Sequence, residues 1–422
     1  MKTTAIILFV LTYVLLIALP RFRAYIALAS AAVFVFLGIL PFENVLTTVD
    51  WNVILMIAGT MGIVSLFIES RMPALLADII LEKMPNIKWA IISLSLFAGF
   101  ISAFVDNVAT VLMVAPVALD IAKKLKISPV KSVIAISVAS NLQGAATLVG
   151  DTTSILLGGY ANMNFLDFFV FLGKPGLFFI VQAGALASTL VLLFLFRKEN
   201  QTVDKMEKTV VKDYFPTFLL IGMVVLLIIA SFLPNMPKTI NGIICVSLFI
   251  IGVIADIFKR GNGSVAIKAF KEIDYFTILL LAGLFVVVGG ITEAGVVNDI
   301  SEIFVKVSGD NLFVIYSLIV WASVLFSAFI DNIPYVATML PVMTSIAALL
   351  NIEPYILYFG LLSGATLGGN MTPIGASANI AALGILRKEG YEVSGKEFMK
   401  IGIPFTLAAV ITGYLLIWVL YA

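Results

Sequence analysis

The sequence contains no histidine and a single cysteine, Cys245, and charged residues fill only 12% of its 422 positions. Without histidine there is no imidazole metal ligand, no Ser-His-Asp or Cys-His pair and no histidine proton relay. One cysteine in an apolar run excludes a disulfide framework and a thiolate metal site. Proton or ion chemistry must therefore rest on carboxylates, lysines, hydroxyls, amides and backbone. The shortage of charge excludes a soluble domain, because 61% of the residues are hydrophobic and polar groups are too few to cover them. The net charge of +1 comes without a basic tract, so no nucleic-acid partner is indicated. No nucleotide-binding loop is present to drive transport with ATP.

What the chain has instead is apolar runs along its whole length, the mark of a polytopic all-α membrane protein with the lipid bilayer as its main partner. Spanning segments are expected near 4–20, 24–41, 51–68, 130–160, 166–196, 214–233, 239–258, 275–291, 355–386 and 401–421. Residues 4–20 lack a following small-residue cleavage site and read as a retained helix. Two further apolar stretches, 89–122 and 311–350, are each interrupted by an Asp-Asn pair. The segments 73–83 and 296–306 mix apolar and charged residues and suit interfacial helices or surface connectors.

The chain also repeats itself. Ser102-Ala103-Phe104-Val105-Asp106-Asn107-Val108 returns as Ser327-Ala328-Phe329-Ile330-Asp331-Asn332-Ile333, shifted by 225 residues. Gly144, Thr147 and Gly150 return at the same shift as Gly369, Thr372 and Gly375. Upstream, Asp50-Trp51, Ala58-Gly59 and Glu69 match Asp274-Tyr275, Ala282-Gly283 and Glu293 at a shift of 224. The repeats occupy 1–196 and 213–422, joined by a polar linker at 197–212.

Lysine and arginine test the topology. If 89–122 and 311–350 are re-entrant hairpins, the loops at 21–23, 69–88, 123–131, 197–212, 259–271 and 387–400 share one side and hold 22 of the 26 basic residues. Only Lys2, Lys174, Lys238 and Lys306 fall opposite. That assignment makes the linker cytoplasmic and inverts one repeat relative to the other. Inverted repeats give one fold two related conformations, each open to a different side.

Asp106 and Asp331 place a carboxylate within apolar sequence, where a charge costs several kcal/mol. Cation or proton binding accounts for that cost, although Asp106-Asn107 and Asp331-Asn332 would also cap the helices they precede. The second pair of breaks, Gly144 to Ser154 and Gly368 to Asn379, puts glycine, proline and hydroxyls at mid-membrane. Half-helix N-termini there offer free N–H groups to an anion and unwound carbonyls to Na+. Gly144, Thr147, Gly150, Thr152, Gly369, Asn370, Thr372, Gly375, Ser377 and Asn379 are the candidate substrate ligands, and close helix packing is the alternative for the glycines. Asp151, whose counterpart is Ala376, adds an acid to one repeat only. It joins Asp106, Asn107, Asp331 and Asn332 as a candidate for cation coupling. Glu69 and Glu293 read as interfacial or structurally paired.

Three stretches carry a resemblance: 102–117 (SAFVDNVATVLMVAPV), 327–343 (SAFIDNIPYVATMLPVM) and 368–385 (GGNMTPIGASANIAALGI). They resemble the ion transporter superfamily with its citrate-transporter-like domain, and within it the arsenite permease, NhaD-type antiporter and P-protein branch. The resemblance implies about ten transmembrane helices, two re-entrant hairpins and two broken helices in a scaffold and an elevator-like transport domain. It also implies a homodimer and Na+ or H+ as coupling ion, with no further cofactor. Dicarboxylate carriers of that superfamily have Ser-Asn-Thr at each hairpin tip, where this chain has Asp106-Asn107-Val108 and Asp331-Asn332-Ile333. A tip carboxylate repels a di- or tricarboxylate and attracts Na+ or H+. The P-protein branch has Gly-Asp-Pro-Pro-Asn in the first broken helix, against Gly150-Asp151-Thr152-Thr153-Ser154 here.

These observations suit a secondary transporter in a prokaryotic cytoplasmic membrane that couples H+ or Na+ to a small inorganic anion or a metalloid such as arsenite. Na+/H+ exchange is the alternative, and cation-coupled carboxylate transport the next. A channel fits an inverted repeat poorly. An intramembrane aspartyl protease would need Gly-x-Gly-Asp, and Leu148 stands where its first glycine belongs, so the chain does not read as an enzyme.

Overall fold

The computed structural model describes residues 1–125, 127–202, 208–260, 264–309 and 311–422. Residues 203–207 of the linker, Lys126 of the loop 123–131 and residues 261–263 of the loop 259–271 lie outside the described residues. Nearly everything described is helix. Seven of these helices are long and apolar enough to cross a membrane, or nine when each strongly bent pair counts as one span.

The first two segments fold as Lys2–Ala18 and Arg23–Phe36, two helices that meet at a 113° bend through Pro20–Phe22. The second has 14 residues, which at 1.5 Å per residue reach roughly 21 Å, short of a full crossing. The expected span 166–196 is corrected: the helix is Leu177–Leu195, and before it lies the only strand pairing among the described residues, Val170–Phe171 with Lys174–Pro175. Leu172 and Gly173 both have positive φ (51° and 74°), the geometry of a two-residue hairpin turn, so the backbone leaves the helical path there. Met72–Leu81 and Val296–Ser308 are helices at the places read as interfacial or connecting.

Both Asp-Asn stretches turn back. Ile87–Ser102 is followed after four residues by Asn107–Leu125, and Leu312–Ser327 after four by Asn332–Leu350. The segments 130–160 and 355–386 are each broken, into Val130–Gly144 with Thr152–Tyr160 and Tyr355–Gly368 with Ser377–Lys388.

The helices sort into two groups. In one, Arg23–Phe36 packs on Tyr275–Glu293 and Ile240–Arg260 packs on Trp51–Glu69, so each repeat clasps the other. Glycine lets the backbones touch: a Cβ on Gly59 would sit 2.4 Å from the Cys245 carbonyl carbon, and one on Gly283 would sit 2.6 Å from that of Ala27. Cys245 is therefore a packing residue. In the other group the hairpins embrace the broken helices. Ile87–Ser102 lies along Val130–Gly144, Leu312–Ser327 along Tyr355–Gly368, and Leu177–Leu195 pairs with the last helix, Gly395–Tyr421.

Candidate functional site

The two unwound segments are fastened to the hairpin tips by the same bonds. Thr147 Oγ1 donates to the carbonyl of Ala103, and Thr372 Oγ1 donates to that of Ala328. Each break is also clipped shut: Ser154 Oγ donates 3.2 Å to the carbonyl of Gly144, and Asn379 Nδ2 donates 3.0 Å to that of Gly369. These partners satisfy carbonyls that breaking a helix would leave orphaned in the membrane. Asn370 is spent similarly, donating to Val138 O at 2.9 Å and accepting from Asn141 Nδ2 at 3.1 Å.

At the heart of each break sits a glycine. A Cβ on Gly150 would lie 2.6 Å from Gly144 O and 2.9 Å from both Ala103 O and Ser102 O. One on Gly375 would lie 2.6 Å from Gly369 O, 2.6 Å from Ser327 O and 2.8 Å from Ala328 O. Backbone oxygens cannot yield as a flexible side chain can. Gly150→Ala and Gly375→Ala are each expected to cost about 1–3 kcal/mol by overpacking. The measurement is thermal unfolding in detergent, with Gly384→Ala as control because nothing lies within 4 Å of Gly384. A midpoint as high as the control's would contradict the packing argument.

Around this frame a cavity of about 390 Å³ opens. Its lining brings together Asp106, Asn107, Asp151, Thr152, Asn332 and Ser377 from hairpins and broken helices. Glu272, Asp274 and Thr277 from the other group close it, and Asn141 forms part of its wall. Four carboxylates face this space, and among the described residues no lysine, arginine or histidine does. Asp151 caps Thr152–Tyr160, one oxygen accepting from Thr152 N at 2.8 Å and the other from Thr153 Oγ1 at 2.9 Å. Thr153 in turn meets Thr366 Oγ1 at 2.9 Å, which joins the two broken helices. Asp106 accepts from Ala109 N at 3.0 Å, and Asn107 Nδ2 donates to Asn141 Oδ1 at 2.8 Å. Capping and cavity exposure thus coexist in the same aspartates.

Other predicted residues are absent from this lining. Gly144, Thr147, Gly150, Gly369, Asn370, Thr372, Gly375 and Asn379 build the frame behind it. Asp331 is held by Arg23, its Oδ2 2.9 Å from the guanidinium Nη1. Ser102 Oγ is buried without a hydrogen-bond partner among the described residues, whereas its counterpart Ser327 Oγ donates 2.5 Å to Ala365 O. Among the described residues no cluster of three His, Cys, Asp or Glu side chains forms a metal site.

Sequence reading missed Asn141, Arg23, Glu272 and Asp274. Asn141 carried a signal, being an amide inside an apolar helix. The other three stand beside loops and look like ordinary interfacial charge.

The cavity reaches toward the side rich in lysine and arginine, where Ile68, Glu272 and Asp274 lie. A second cavity of about 1090 Å³ lies at the opposite helix ends, lined among others by Asp50, Tyr160, Lys238 and Glu293. No residue lines both. Between them Thr152–Tyr160 packs on Trp51–Glu69, so tightly that a Cβ on Gly159 would be 2.5 Å from Asp50 Oδ2. Gly384, the counterpart of Gly159, has nothing within 4 Å.

Comparison with known proteins places these features. A family model described as "Citrate transporter" matches residues 13–361. An uncharacterised transporter of Mycobacterium tuberculosis is 32% identical over 434 residues, spanning 100% of this chain and 99% of its own length. The P protein of Mus musculus is 26% identical over 477 residues, spanning 93% of this chain and 56% of that protein. The solved structure of the YdaH transporter of Alcanivorax borkumensis shares the fold, with a TM-score of 0.62 at 15% identity over 89% of this chain and 86% of its own.

Proposed function

Because the chain belongs to the citrate transporter family of the ion transporter superfamily, we propose that this multi-span membrane transporter works as a secondary active carrier in which Asp106 and Asp151 bind Na+ or H+. The cargo is a cation or a small neutral solute. The observation that carries this reading is the cavity with four carboxylates and no basic side chain. A citrate trianion there would meet Asp106, Asp151, Glu272 and Asp274, of which only Glu272 has a cation beside it among the described residues (Lys268, 3.7 Å), so like charge opposes it.

Na+/H+ exchange is the simplest form, with competing cations sharing the carboxylates. A neutral metalloid acid such as arsenous acid is the second reading, supported by the amides and hydroxyls of Asn107, Asn141, Thr152, Asn332 and Ser377 in the same lining. The division into a cavity that reaches toward the Lys/Arg-rich helix ends and a separate basin at the opposite ends supports alternating access.

The deciding experiment uses proteoliposomes with an interior pH dye under Na+, Li+ or K+ gradients, then with arsenite or citrate added. Proton movement driven by Na+ or Li+ alone is the expected result. Movement that begins only with arsenite selects the second reading. Movement that begins only with citrate overturns the argument from cavity charge.

A further inference from the structure

Among the described residues, a partly buried ion pair joins the two helix groups. Arg23 opens helix Arg23–Phe36, and its Nε donates 3.1 Å to the carbonyl of Leu16, which fixes the guanidinium to the bend between the first two helices. Its Nη1 donates 2.9 Å to Asp331 Oδ2 at the tip of the second hairpin. The side chains are 19% and 16% exposed, so neither charge is fully solvated. The other oxygen of Asp331 caps its helix through Ile333 N at 3.2 Å. The pairing has no counterpart in the first repeat: Asp106 makes no ion pair among the described residues and faces the cavity instead.

Arg23 offsets the cost of holding the Asp331 charge away from water, which is several kcal/mol for an uncompensated buried charge. Wherever Asp331 stays shielded from water, a positive partner stabilises it. Arg23 belongs to the clasped group and Asp331 to the group of hairpins, so relative motion of the two separates them.

We propose that Arg23 is a built-in counter-cation that occupies Asp331 while the cavity is open to the cytoplasm and leaves it when the cavity opens outward, so that Asp331 is a cation site reached from the outer side only. The proposal rests on the alternating-access reading above. A Na+ ion or proton taken up by Asp331 outside is expelled as the guanidinium returns, and an empty carrier cannot complete the outward movement without leaving a bare charge. Arg23 is a positioning and competing residue, and it touches no cargo.

The test measures 22Na+ uptake in proteoliposomes of known orientation, with half-saturating Na+ determined separately from each face. Arg23→Gln frees Asp331 inside, and if Arg23 holds Asp331 about nine-tenths of the time, Na+ affinity from the cytoplasmic face rises about tenfold. Outer-face affinity is unchanged, and Arg23→Lys behaves as wild type. Arg23→Gln with Asp331→Asn, which leaves no bare charge and keeps the test alive if the single variant misfolds, weakens only the outer-face affinity. A purely structural ion pair would move both faces together or neither, and either result overturns the proposal.

A reporter separates this outcome from failure of the underlying reading. Gly384→Cys in a Cys245→Ala background is labelled from the cytoplasmic side by an impermeant maleimide. If a Na+ gradient changes labelling in otherwise wild-type protein but Arg23→Gln leaves both affinities unchanged, only the Arg23 proposal falls. If the gradient leaves labelling unchanged, alternating access falls and takes the proposal with it.

Discussion

Replacing Asp151 with Asn, or Asp106 with Asn, is expected to lower cation-driven flux about 100-fold or more, while the fold survives. The factor follows from losing roughly 2.7 kcal/mol of attraction between cation and carboxylate, at about 1.4 kcal/mol per decade. The two variants isolate charge from structure. Asn caps a helix about as well as Asp, so Thr152 N and Ala109 N keep their partners. Thr153 Oγ1 can still donate to an amide oxygen at position 151. Removing a buried carboxylate also relieves desolvation, so the unfolding temperature should hold or rise. Flux within twofold of wild type for both variants, at equal protein in the vesicles, would remove these acids from the mechanism. A fall in flux together with a fall in unfolding temperature would mark them as caps alone.

The second large effect is a lock. Asp50 and Gly159 touch, whereas their repeat counterparts Asp274 and Gly384 do not. Cysteines at Asp50 and Gly159, in a Cys245→Ala background, should therefore form a disulfide readily and stop transport, with activity returning on reduction. The geometry is suitable, since a Cβ on Gly159 would be 3.3 Å from Asp50 Cγ, the atom that a cysteine sulfur would approximate. Cysteines at Asp274 and Gly384 should stay unlinked in the conformation described here. They should link when the protein turns outward, because inverted repeats exchange roles at that point. Mass spectrometry of the linked peptides, with and without an imposed Na+ gradient, reads both pairs. Linking of the second pair regardless of gradient, with the first pair unreactive, would reverse the assignment of the open side.

The sequence made the breaks legible because breaking a helix in a membrane demands unusual residues. Asp106-Asn107, Asp331-Asn332 and the Gly-Thr-Gly sets stand out against apolar surroundings, and their duplication argues that they belong together. Their division of labour was not legible. Thr147 and Thr372 are residue types that suit substrate ligands, yet their hydroxyls hold the tip carbonyls of Ala103 and Ala328. Asp106 and Asp331 are equivalent in sequence, and only the fold puts Arg23 beside one of them. The contact spans 308 positions, and nothing in a short polar turn announces it. The expected helix across 166–196 failed for a local reason: Leu172-Gly173 supplies a tight hairpin turn within a run whose average hydropathy resembles a span.

The threonine bonds from the unwound segments to the hairpin tips have a consequence for selectivity. Both breaks are pinned to the hairpins, so under the proposed alternating access the cavity walls from Asp106 to Ser377 would be carried across the membrane without being rebuilt. Only the wall from the other group, Met61, Val64, Ser65 and Ile68 with Glu272, Asp274 and Thr277, would be exchanged for another. Discrimination between cargoes is then settled once, at loading, and release offers no second inspection. A molecule shaped to jam the pinned walls would hold the carrier from whichever face it arrived.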